Sequence, residues 1–81
     1  VKLEKGSVVT AKAGRDCGGY FAVTELHEDH CFIADGKSRK LSNPKRKNLK
    51  HISVTNSVID LNDITDKKLR GLLKEFSGRA E

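Results

Sequence analysis

At 81 residues, with 36% hydrophobic and 33% charged side chains, the chain has room for one modest core and none for a second. Apolar positions recur throughout, which suits a compact globule better than a disordered tail, and no apolar run approaches the ~20 residues that a bilayer-spanning helix needs. A formal net charge of +5 favours polyanionic partners without naming one.

The opening segment Val1-Lys2-Leu3-Glu4-Lys5 lacks the apolar stretch of a secretion signal, so a cytoplasmic protein is expected. Two cysteines, Cys17 and Cys31, are too few for a disulfide framework and are expected as reduced thiols. From Gly6 onward the pattern is one of short β runs. Gly6-Ser7-Val8-Val9-Thr10-Ala11-Lys12 alternates and is β-branched, the mark of a first strand. The glycines of Ala13-Gly14-Arg15-Asp16-Cys17-Gly18-Gly19 break it into a turn. Tyr20 to Leu26 predicts a second strand, His27-Glu28-Asp29-His30 a polar turn, and Cys31-Phe32-Ile33-Ala34 a third strand. Asp35-Gly36 is a strong hairpin signal, which predicts a fourth strand over Ser38-Arg39-Lys40-Leu41. A loop over residues 42–48 then leads to a fifth strand, Leu49 to Val54.

Five short strands in about fifty residues suggest a closed, strongly curved sheet, because closure removes edges that a small all-β domain must otherwise protect. The period then changes. Leu69, Leu72, Leu73 and Phe76 fall at i, i+3, i+4 and i+7, one face of a helix. Thr65 is placed to cap it, Ile64 and Leu69 to form a hydrophobic staple, and Gly78 to end it. Gly71 in its interior costs about 1 kcal/mol relative to Ala, so this helix depends on packing. Residues 55–64 are ambiguous between strand, helical turn and packed linker.

The charge is local. Lys37, Arg39, Lys40, Lys45, Arg46, Lys47 and Lys50 lie within fourteen positions that contain no Asp or Glu. Removing those seven leaves nine basic against eleven acidic residues, so the rest of the chain is mildly acidic. Clustered cations on strand and turn suit a phosphate backbone, although a charge run by itself is commonly a solvated face. The glycines from Gly14 to Gly19 would let a backbone approach main-chain N–H groups, with Arg15 as a charged fork. The turn lacks the Gly-Lys-Ser/Thr ending of a P-loop. His27, His30, Cys31 and Cys17 are metal-capable, but their spacing matches no zinc finger, so no metal and no cofactor is expected. No nucleophile with a base and an orienting group is visible, which argues against an enzyme. The helix carries mixed charge at Asp66, Lys67, Lys68, Arg70, Lys74 and Glu75, unlike a DNA recognition helix.

The stretch from Gly6 through the Gly14–Gly19 turn to Val23 resembles a KOW motif, the strand–glycine turn–strand signature of certain ribosomal proteins and transcription elongation factors. Its continuation is narrower. Ile33-Ala34-Asp35-Gly36-Lys37-Ser38-Arg39-Lys40-Leu41 and Asn43-Pro44-Lys45-Arg46-Lys47-Asn48-Leu49-Lys50-His51 resemble the archaeal and eukaryotic large-subunit ribosomal protein family fourteen-e and its short bacterial KOW-domain relatives. The resemblance covers roughly residues 4–54 and implies an SH3-like barrel that contacts RNA through the KOW turn and basic loops. It points to Lys12, Gly14, Arg15, Gly18 and Gly19 in the turn, and to Lys37, Arg39, Lys40, Lys45, Arg46, Lys47 and Lys50 beyond it. Cys17 stands where the family pattern leads one to expect a small or polar residue.

The resulting expectation is a mainly β fold: an SH3-like five-stranded barrel over residues 1–54, with a linker and an amphipathic C-terminal helix packed on it over residues 55–81. The expected partner is RNA, ribosomal in particular, with ribosomal or transcription proteins beside it, no membrane, and a monomer when free. The alternative is a protein-binding KOW adaptor, which would need an exposed apolar patch from Leu69, Leu72, Leu73 and Phe76.

Overall fold

The computed structural model describes residues 3–12 and 19–78. Strands β1 (Ser7–Ala11), β2 (Tyr20–Leu26), β3 (His30–Ala34), β4 (Lys45–Asn48) and β5 (Ile52–Val58) form one antiparallel sheet in the order β4-β3-β2-β1-β5. Helix α1 (Asp66–Gly78) follows. The edge strands β4 and β5 are joined by a single 3₁₀ turn, Leu49–His51. In a flat sheet those edges would stand four strand spacings apart, about 19 Å. A three-residue 3₁₀ turn rises only about 6 Å, so the sheet must curl until the joined ends of β4 and β5 meet. Two tethers hold the turn across the opening. Leu49 N–H donates to the Asp29 carbonyl at the β2–β3 turn, and Lys12 N–H at the end of β1 donates to the His51 carbonyl. Register irregularities between Ser7 and Val9 and between Val23 and Glu25 help the strands bend. The architecture is a small SH3-like five-stranded barrel with one C-terminal helix.

Both faces of the central strands are buried. Val9, Ala11, Phe21, Val23, Cys31, Ile33 and Ile52 fill the barrel interior. On the outer face Val8, Ala22 and Ala34 are cross-strand partners in one row, and Leu69 and Leu73 of α1 pack with them. Two alanines in that row let the helix approach closely. Leu41, Ile59, Leu61, Ile64 and Phe76 fill the margins, and Phe76 meets Tyr20 with ring centroids 6.1 Å apart. The helix begins as its residues dictate: Thr65 Oγ1 accepts from Lys68 N–H at 3.2 Å, and Ile64 and Leu69 share one apolar cluster.

One strand lies elsewhere than the hairpin signal predicts. Residues 38–41 are not β4; the strand is Lys45–Asn48, within the segment expected to be a loop. Its register is His30↔Asn48, Cys31↔Lys47, Phe32↔Arg46 and Ile33↔Lys45. The cause is a closed loop after β3. Asp35 Oδ1 accepts from Lys37 N–H at 2.9 Å and Arg39 N–H at 2.8 Å, while the Arg39 carbonyl accepts from Asp35 and Gly36 N–H. Leu41 N–H is taken by Asp66 Oδ1 of the helix at 2.8 Å, so this segment's donors are spent locally and on α1. Gly36 does turn the chain, at φ +77°. The fifth strand also starts later, after the 3₁₀ turn, and runs to Val58, which resolves part of the ambiguous 55–64 segment as strand. Among the described residues no helix is long and apolar enough to cross a membrane.

Candidate nucleic-acid interface

The fold distributes the basic segment over three settings. Lys37 and Lys40 are exposed on the β3–β4 loop, where Arg39 is half-buried and its backbone organises the loop. Lys45, Arg46 and Lys47 are carried on edge strand β4, and Lys50 on the 3₁₀ turn, where Asn48 Oδ1 accepts from its N–H at 3.0 Å. The pleat separates the β4 cations. Arg46 stands opposite Phe32 on the outer face, whereas Lys45 and Lys47 stand opposite Ile33 and Cys31, on the face that lines the barrel. Lys45 is nonetheless exposed and Lys47 half-buried, so both keep access to solvent. The seven cations are thus divided among a loop, a strand and a 3₁₀ turn and do not make a single flat patch.

Of the Gly-rich turn, Gly14, Arg15 and Gly18 lie outside the described residues. Its two described flanks are Lys12, exposed after β1, and Gly19, half-buried before β2. The pair Thr10↔Tyr20 places those flanks at one end of the barrel.

Three cations outside the Lys37–Lys50 segment and the Gly-rich turn join this region. A cleft of about 670 Å³ opens between α1 and the barrel, with Lys67, Arg70 and Lys74 on its helical wall and Gly19 and Lys37 on the barrel side. Arg70 reaches across it to donate to the Gly36 carbonyl at 3.4 Å. The signal was present in the sequence, since 67, 70 and 74 share a helix face, but nothing in the sequence says which part of the barrel that face overlooks.

A second group sits at the opposite end of β3. The His27 and His30 rings stack with centroids 4.6 Å apart, and Phe32 meets them edge-on at 5.9 and 5.7 Å. His30 Nδ1 lies 2.7 Å from Asp29 Oδ1, and that hydrogen bond holds the Asp29 carboxyl below its ordinary value. Glu25 Oε1 is 3.4 Å from His27 Nε2, so acidic groups surround these rings. Cys31 lies fully buried on the interior face, opposite to His30, and burial pushes its thiol pKa up. A metal site shared by His30 and Cys31 would need both on one face. Cys17 lies outside the described residues. The apolar stripe of α1 is largely spent on the barrel: Leu69 and Leu73 are buried and Phe76 is half-buried, while Leu72 is 38% exposed.

No family model matches this chain, and no curated protein matches its sequence at a significant level.

Proposed function

We propose that this chain is a non-enzymatic RNA-binding module of KOW type that works in the cytoplasm, on or near the large ribosomal subunit. It would bind RNA through its backbone phosphates, using the Gly14–Gly19 turn and the cations from Lys37 to Lys50. The observation that carries this reading is the acid-free strand and turn Lys45–Lys50. Its cations are held by β pairing and a capped 3₁₀ turn, so neighbours on one face are spaced at about 6.7 Å. A floppy tail of equal charge would lose more conformational entropy on binding. The link to the ribosome and to the KOW family rests on sequence resemblance alone.

Fluorescence anisotropy with a labelled single-stranded RNA, read at several salt concentrations, tests the phosphate reading. If five cations engage phosphates, log K falls with log salt at a slope near −3.5, and a fourfold rise in salt weakens binding about a hundredfold. Replacing Lys45, Arg46 and Lys47 by Gln should flatten the slope by about 2. Salt-independent binding, or no RNA crosslinked to the protein in cells, would overturn the reading. Sedimentation of a native lysate with and without RNase tests the ribosomal part: co-migration with large subunits is expected, lost on RNase treatment.

A further inference from the structure

Two glycines in this fold have opposite justifications. Gly36 needs its left-handed φ, and a Cβ there would run into the Asp66 backbone. Gly71 has neither reason. Its φ is not left-handed, it sits inside α1, and a Cβ built on it would meet nothing within 4 Å. A helix-interior glycine that no packing requires is a cost to the helix with no return within the described structure. Its position supplies one. Gly71 lies on the helical wall of the cleft, between Arg70 and Lys74, so the missing side chain leaves that wall open.

We infer that the cleft between α1 and the barrel is a phosphate-binding groove, in which Lys37, Lys67, Arg70 and Lys74 grip the RNA backbone and Gly71 gives it room. This rests on the RNA reading above and extends it to the helix. Lys67, Arg70, Gly71 and Lys74 recur at i, i+3, i+4 and i+7, one stripe of α1 beside its apolar face. Four cations line the cleft against one carboxylate, Asp35, whose Oδ1 already accepts two backbone amides. Lys37, Lys67 and Lys74 make no ion pair among the described residues. The occupant follows from continuity. Lys37 belongs to the basic segment and lines this cleft beside Gly19, so an RNA strand lying on the basic segment is led into it.

The test blocks the groove without touching its charge. Gly71→Gln puts a long side chain into the cleft and improves helix propensity, so Tm should rise by a few degrees, on the order of 4 °C. RNA affinity should nevertheless fall by about tenfold. Lys67→Gln with Lys74→Gln should flatten the salt slope by about 1.4. The control Lys68→Gln, off the cleft, should stay within about threefold of wild type. A Gly71→Gln protein that melts higher and binds RNA as tightly as wild type overturns the groove. If that happens while the Lys45/Arg46/Lys47 variant loses affinity, the RNA reading stands and only the groove falls. If wild type binds no RNA at all, both fall. In that case amide shifts at Gly71 and Lys74 on titration with inorganic tripolyphosphate would show an anion site of another kind, which also overturns the assignment to RNA.

Discussion

Gly36 and Gly71 look alike in the sequence and behave oppositely in the fold. Gly36 packs its backbone against the first residue of α1, which is how the β3–β4 loop comes to lie on the helix. Gly36→Ala combines a left-handed φ with a steric clash, and is expected to cost about 2 kcal/mol or more. Gly71→Ala meets open space and should stabilise the protein by up to about 1 kcal/mol. Urea denaturation of the two variants checks both signs at once, and equal signs would contradict the opposite packing of the two glycines. The same scale shows what a pleat does to charge. Lys45, Arg46 and Lys47 are adjacent in sequence, but only Arg46 shares the outer face with Phe32. The pleat therefore splits this run of basic residues between two faces of the sheet.

At the scale of elements, the exchange of loop and strand between residues 38 and 48 is decided by competition for backbone donors. Asp35-Gly36 announces a turn correctly. A tight hairpin would pair the segment after it with β3, but Asp35, the Arg39 carbonyl and Asp66 take the donors first. Pairing resumes at Lys45, which extends the ladder along the rest of β3. Asp66 belongs to the helix, twenty-five residues away from Leu41 in the chain, so no local pattern could reveal its role. Asp66→Ala should release Leu41 N–H, lower stability by about 1–2 kcal/mol and speed hydrogen exchange at Leu41 more than at the β1–β2 amides. Uniformly faster exchange would instead mean that the loop and the helix unfold only with the whole domain.

For the whole molecule, the helix is the second half of the core. Its row of contacts on Val8, Ala22 and Ala34 buries the face of the sheet that the barrel interior does not use. Leu69→Ala should therefore cost about 2–5 kcal/mol, as for a barrel-interior residue, while Leu72→Ala should stay within about 0.5 kcal/mol. Comparable losses at both positions would show that the stripe is covered by something besides the barrel. The docked helix also sets the charge map, because it carries Lys67, Arg70 and Lys74 to the end of the barrel where Lys37 and Gly19 lie.

Local residue patterns were enough to indicate a barrel of short strands, a capped amphipathic helix and a concentration of positive charge. These follow from local signals: period-2 and period-3.6 patterns, turn residues, and a capping threonine with its staple. Long-range contacts instead settle which segment becomes β4, how its cations divide between two faces, and where the helix lands. Each of these depends on groups far apart in the chain, such as Asp66 on Leu41 or Leu69 on the Val8–Ala22–Ala34 row, and sequence spacing carries no trace of such distances. The cleft belongs to that second class. Its cations were visible one by one, but only the docking of α1 brings them to face Lys37.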